Sequence, residues 1–282
     1  MGVVNVTPDS FFDGGEYVEV ESQRRRVDKL LAEGADIVDI GAESTRPGAD
    51  PVPPDEQIAR AETALVHAVR AGAMVSIDTT SPKVAQWALS QGAHLVNDVS
   101  CLSDPELASV VAKHSASLLI MHSRYPVAGM IGLGAYPEDG YDDVMLDVRR
   151  EWEDARKRAL QEGVQREQIL FDPGLGFHKS ARHSLELLRR LAEFARLEAP
   201  ICVGASRKSF IGALDGSGPR DRLGGTIAAN LSAVSSGARI LRVHDVAAVR
   251  QAVLVQQALR GAEGPTDLRQ PRERHGRETL DA

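Results

Sequence analysis

Arg242-Val-His-Asp245 ends a short apolar run and opens an apolar helical pattern. Arg242 and His244 alternate with Val243, so in extended backbone both point to one side. A guanidinium, an imidazole and the free amides of a helix N-terminus make an anion site. A salt-bridged strand end with a solvated histidine is the plainer alternative. Asp245 fits an N-cap. Gly204-Ala-Ser-Arg-Lys-Ser209 offers Arg207 and Lys208 as charges and Ser206 as a cap for the next helix, although such a run is also a common exposed turn. Asp172-Pro-Gly-Leu-Gly-Phe177 sets a carboxylate before glycines that permit close backbone approach to a ligand. Asp78 and Asn97 close two similar apolar runs. Two carboxylates and an amide can read the donor-and-acceptor edge of a heterocycle, and each alone reads equally well as a turn or cap residue.

The elements that must position these groups repeat one pattern. A helical stretch ends in glycine, a short β-branched run follows, and that run ends in a polar residue. Gly34-Ala-Asp-Ile-Val-Asp39, Gly72-Ala-Met-Val-Ser-Ile-Asp78 and Gly237-Ala-Arg-Ile-Leu-Arg242 are examples. Such runs suit strands buried on both faces. Eight strands are expected, near 2–6, 36–40, 74–78, 94–97, 117–121, 168–172, 201–204 and 240–243. Strand–helix alternation implies a parallel sheet, and eight units suggest a single (β/α)8 barrel over residues 1–260, with an open doubly wound sheet as the alternative. Asn5, Asp39, Asp78, Asn97, His122, Asp172 and Arg242 then share the rim where barrel enzymes work. Loops at 7–18, 41–55 and 123–140 are rich in glycine and proline, and 7–18 and 41–50 are expected to be mobile without ligand and to close over substrate. Residues 261–282 read as a disordered tail.

The 282 residues carry a net charge of −7, with 43% hydrophobic and 26% charged side chains. That balance is ordinary for a globular enzyme and lacks the basic surface of a nucleic-acid binder. No apolar run approaches a membrane span, and no signal peptide is visible, so the expected setting is the cytoplasm. Cys101 and Cys202 match neither a metal-ligand spacing nor a disulfide framework and read as buried thiols.

Seven segments, in order, carry a resemblance to a known family. Met1-Gly-Val-Val-Asn-Val-Thr-Pro-Asp-Ser-Phe-Phe-Asp-Gly-Gly15 closely resembles the opening signature of dihydropteroate synthases, and Asp39-Ile-Gly-Ala-Glu-Ser-Thr-Arg-Pro-Gly48 resembles their second. Ser76-Ile-Asp-Thr79, Val96-Asn-Asp-Val99 and the runs at Asp172, Ser206 and Arg242 also match, so the resemblance reaches from residue 1 to about 255. It implies an enzyme of folate biosynthesis, a sulfonamide target, that joins a dihydropterin pyrophosphate to p-aminobenzoate. It implies Asn5 as a ligand of Mg2+, and Asp78, Asn97, Asp172 and Lys208 as the pterin pocket. Arg242 and His244 become pyrophosphate anchors, and Asp172, Lys208, Arg242 and His244 the catalytic set. Thr45 becomes a substrate contact in the second loop and Arg46 a substrate-binding residue, while Pro47, Phe177 and Ser206 surround the p-aminobenzoate, with Phe11 in a covering loop. A homodimer is expected from the same resemblance.

The chain departs from the family pattern at Ala42, Ser123, His178 and Ser184, and it begins at the first signature. Two other readings remain: a pterin-binding methyl transferase acting on a corrinoid protein, against which Arg242, His244 and the Ser206 run speak, and a non-catalytic binding paralogue. The chemistry of the two side chains predicts that Arg242 serves the pyrophosphate and Asp172 the pterin, so that their losses separate.

Overall fold

The computed structural model describes residues 1–6, 15–43, 51–124, 137 and 140–261. Among the described residues eight strands run in chain order: β1 (Gly2–Asn5), β2 (Ile37–Gly41), β3 (Met74–Asp78), β4 (Leu95–Asp98), β5 (Ser117–Met121), β6 (Ile169–Asp172), β7 (Cys202–Val203) and β8 (Ile240–Leu241). β1 to β6 pair in parallel, each with the next, and β7 pairs with β8. Parallel bridges between Phe171 and Ile201 and between Val243 and Gly2 join the two sheets on both sides. The ring therefore closes, with eight strands in sequential order, as a (β/α)8 barrel. β7 and β8 are shorter than the sequence suggests, yet the Arg242 amide still donates to the Val203 carbonyl at 2.9 Å, which carries their ladder on to the rim.

Helices α1 (Gly15–Ala32), α2 (Pro54–Arg70), α3 (Pro82–Ser90), α4 (Glu106–Lys113), α5 (Val144–Gln161), α6 (Ala181–Arg189), α7 (Ser209–Asp215), α8 (Leu223–Ser235) and α9 (Val246–Leu259) lie outside the strands. The glycines that end the helical stretches turn left-handed, with φ of 101° at Gly92 and 98° at Gly237. None of the helices among the described residues is long and apolar enough to cross a membrane.

Strand period explains how the site is placed. Val38, Ile40, Val75, Ile77, Val96, Leu118, Ile120, Ile169, Phe171 and Val203 belong to one large core shared with the helices. The opposite faces point into the barrel. There Met1, Leu95, Leu119 and Cys202 form a separate apolar cluster, with Ile37, Leu170 and Ile240 packed against it. Side chains alternate along a strand, so two residues further on the same inward face continues. From Ile37, Leu95, Leu170 and Ile240 that step reaches Asp39, Asn97, Asp172 and Arg242. The apolar inner layer is the floor, and the polar layer above it is the site. Both cysteines are free and buried.

Candidate active site

A pocket at the C-terminal ends of the strands is lined by Asp78, Asn97, Asp172, Lys208, Arg242 and His244, together with Val99, Met121, Leu175, Phe177, Gly204 and Ser206. Asp78 and Asp172, from distant parts of the sequence, meet on this one rim. Val99, Met121 and Phe177 make a small apolar cluster of their own. The pocket thus has an apolar wall facing charged groups, which suits a flat polar ring.

Arg242 organises the charged side. Its Nε donates to Asp39 Oδ2 at 2.6 Å and its Nη2 to Asp78 Oδ2 at 2.7 Å, while Asn97 Nδ2 also donates to Asp39 Oδ2 at 3.3 Å. Asp39 is fully buried. Burial raises Asp78, against the pull of Arg242, to about 7. Flanking carboxylates hold the Arg242 guanidinium charged despite its burial. Asp39 is a rim residue by sequence, yet the expected set of site residues omits it. The available signal is an acid inside the apolar run Ile37-Val38-Asp39-Ile40, which has to be paired.

On the far side of the pocket, Asp172 Oδ1 accepts the Gly174 amide at 2.7 Å. Burial pushes this carboxyl up, offset by that amide and by Lys208. Lys208 lies over the Phe177 ring, Nζ to centroid 4.1 Å. Burial pulls Lys208 down to about 8, so its charge is lost within reach of ordinary assay conditions. If the charged form holds the substrate, kcat/KM should fall as pH rises through about 8. Lys208→Met should give a low, flat profile across that range, and an unchanged alkaline limb in that variant would assign the limb to another group.

His244 sits where β8 meets α9. Its amide donates to Ser206 Oγ at 3.2 Å and its Nδ1 lies 3.0 Å from the same oxygen. With Oγ accepting the amide, the serine hydrogen is available to Nδ1, which leaves the ring proton on Nε2. Burial, helped by Arg242 and Arg207, lowers His244 to about 4, so near neutrality it is an uncharged donor.

Several sequence expectations change here. Ser206 does not cap α7, whose N-cap is Lys208 without a side-chain bond; its hydroxyl holds His244 instead. Asp245 is N-cap of α9 by position only, because its carboxylate takes Arg207 in a two-pronged pair at 2.7 and 2.9 Å. His122 stays out of the pocket, fully buried between Lys179 and Glu151. Asn5 is exposed at the end of β1, beside Gly41, and does not line the pocket. Arg242 is not separate from the carboxylates expected to meet the pterin, since it bonds Asp78 directly. Thr45, Arg46, Pro47 and Phe11 lie outside the described residues, as do most of the two loops expected to close and the tail beyond Gly261.

The turn after Asp172 tolerates little change. Gly174 has φ +65°, and a Cβ there would lie 2.1 Å from the His122 carbonyl oxygen. Gly174→Ala should cost about 2–4 kcal/mol, a left-handed residue plus a backbone clash, read as a lower denaturation midpoint. A variant as stable as the parent would mean the turn can shift freely. Ser184, one of the departures, is fully buried; its Oγ accepts the Gly176 amide at 3.1 Å and donates to the Ser180 carbonyl at 3.0 Å. The hydroxyl therefore supports the same turn.

The family model of pterin binding enzymes matches residues 1–244. The chain is 41% identical over 263 residues to the dihydropteroate synthase of Synechocystis sp., covering 92% of this chain and 89% of that protein. It is 42% identical over 248 residues to a probable bifunctional folylpolyglutamate synthase/dihydropteroate synthase of Haloferax volcanii, where it covers 87% of its own length but spans 29% of the longer protein. The solved dihydropteroate synthase of Thermus thermophilus, in complex with 4-aminobenzoate, superposes with a TM-score of 0.80 at 42% identity, over 92% of this chain and 93% of that one. With these likenesses spanning the barrel and its rim, the chain belongs to the pterin-binding enzymes, among the dihydropteroate synthases.

Proposed function

We propose that this pocket condenses 6-hydroxymethyl-7,8-dihydropterin pyrophosphate with p-aminobenzoate to give 7,8-dihydropteroate and pyrophosphate, a transferase step of folate biosynthesis. The observation that carries this reading is one rim that brings Asp78, Asn97, Asp172 and Lys208 together with the apolar Val99, Met121 and Phe177 in a single pocket, with Arg242 and His244 just before the N-terminus of α9. Asp172 accepts from the pterin ring N–H and amino groups. Val99 and Met121 cover the ring face, and Phe177, expected near the p-aminobenzoate, packs against them and carries Lys208. His244 Nε2–H and the amides of α9 receive the leaving oxygen side.

In the reaction the bond from the methylene carbon to the pyrophosphate oxygen breaks, and a bond from the arylamine nitrogen to that carbon forms. The nitrogen then gives up one proton. Positive character grows at the methylene and is shared with the ring, where the Asp172 carboxylate lies. The amine is already a neutral nucleophile, so no strong base is needed, and positioning supplies much of the rate.

We also propose that Mg2+ takes part. Among the described residues two carboxylates, Asp78 and Asp172, line the pocket beside two cations, and a third, Asp39, buried outside the lining, already pairs with Arg242, so a pyrophosphate needs added positive charge there. No cluster of three or more His, Cys, Asp or Glu suited to a metal is present among the described residues. The ion proposed is a hard cation that keeps several waters and is held mainly by substrate phosphates, with the exposed Asn5 amide oxygen as a protein ligand. When bound, it would neutralise charge on the leaving group. A homodimer is proposed as well, supported by exposed Val255 and Leu259 one turn apart on α9, and a cytoplasmic setting, supported by two free thiols.

The test is turnover. Purified protein with both substrates and magnesium should release pyrophosphate and form dihydropteroate in equal amounts. A folded protein that binds the pterin but forms neither product would defeat the reading and favour a non-catalytic binding role.

A further inference from the structure

Lys179 is fully buried yet outside the pocket. Its Nζ lies 2.9 Å from His122 Nδ1, 3.1 Å from the Gly174 carbonyl, 3.0 Å from the Phe177 carbonyl and 3.3 Å from the His122 carbonyl. The amine thus sits among carbonyls, and no carboxylate of the described residues pairs with it directly. It ties the end of β5 to the turn that follows β6.

The ties reach the site in two steps. The Gly174 amide holds Asp172 Oδ1, and the Phe177 ring carries Lys208. A second link runs alongside, from Ser123 Oγ to His178 Nδ1 at 2.9 Å, with His178 itself in the left-handed region at φ 49°. From His122 the chain continues outward through Nε2 to Glu151 Oε2 at 2.9 Å, and Glu151 is held by Arg124. Since Nδ1 accepts from Lys179, Nε2 carries the proton and donates to Glu151.

We propose that Lys179 is a positioning residue of this site: with His122 it latches the 172–177 turn so that Asp172 and Lys208 face the pterin. This rests on the pocket being the pterin site proposed above. Removing the latch should loosen Asp172 and Lys208 together, with a smaller effect on the p-aminobenzoate side, which the same turn reaches only through Phe177.

The experiment compares Lys179→Met, His122→Leu and His122→Gln with the parent. Steady-state kinetics are run with each substrate varied in turn, and a pterin lacking phosphates is titrated calorimetrically. Lys179→Met should raise KM for the pterin substrate and weaken the fragment by about 10- to 100-fold, with KM for p-aminobenzoate rising several-fold less. His122→Leu should move the same constants in the same direction, and His122→Gln, whose amide oxygen can accept from Lys179, should restore most of the loss. Equal shifts in both KM values, or a lower melting temperature with unchanged KM and fragment affinity, would overturn the proposal. Where Lys179→Met does not fold, the His122 pair decides, and identical behaviour of Leu and Gln overturns it. The fragment titration reads the latch even where the parent shows no turnover, so failure of the function and failure of the latch are distinguishable.

Discussion

Asp172→Ala should lower kcat/KM for the pterin substrate by roughly 10²- to 10³-fold while leaving most of the stability in place. Losing one partner of a charged hydrogen-bonded contact in a closed site costs about 2–5 kcal/mol, and 1.4 kcal/mol is tenfold. One carboxylate oxygen is committed to the Gly174 amide. The other lies 3.9 Å from the position a side chain at Gly204 would take, at the mouth of the barrel between β7 and the pocket. On the proposed function this is the oxygen left to meet the ring. Asp172→Asn gives the sharper outcome. An amide must keep its oxygen on the Gly174 N–H, which turns its NH2 toward a ring edge that also donates. Asn should thus bind a phosphate-free pterin no better than Ala. An Asn variant with parental affinity would mean that the pterin does not donate to this group.

How far the site was legible depends on the distance over which each interaction acts. Strand order and rim were readable because apolar runs of fixed length end in polar residues, and the same period of two that puts Leu170 in the floor puts Asp172 above it. The identity of the rim acids was readable too. What could not be read was pairing across the barrel. Arg242 and Asp39 lie 203 residues apart, and nothing local marks them as partners. Ser206 looked like a cap because the helix it precedes is its nearest neighbour in sequence, whereas its neighbour in space is His244, brought in by β8. His122 followed the strand-end rule but turned away, because the buried amine of Lys179, from the next unit, offered it a bond. Lys179 itself carried no signal beyond being a lysine beside a glycine-rich turn.

Arg242→Ala should have the largest effect of any single change, on stability and on function at once. The variant leaves Asp39 and Asp78 buried without their cation, and breaking such a pair costs about 3–5 kcal/mol. The loss should depend on pH, and the sign follows from Asp78. Its folded pKa, already raised to about 7, lies above the unfolded value of 3.8. The folded state then holds more protons than the unfolded one between these values, so stability falls as pH rises through that window. Without Arg242 the folded value rises further, so the fall should be deeper and extend to higher pH. Denaturation midpoints at pH 5 and pH 8 measure it: the variant should approach the parent at pH 5 and separate from it at pH 8. Pyrophosphate affinity should fail at both pH values, because the missing fork of donors is not replaced by a proton on Asp78. Pterin affinity should also drop, since a protonated or displaced Asp78 no longer presents the same edge. The double variant Arg242→Ala, Asp78→Asn separates the two roles. Removing one of the two unpaired charges should recover much of the stability at pH 8 while pyrophosphate binding stays lost. Recovery of both together would mean that Arg242 acts only by pairing the carboxylates and never meets the anion. Retention of pyrophosphate affinity and turnover in the single variant would remove the anion role from this strand end altogether.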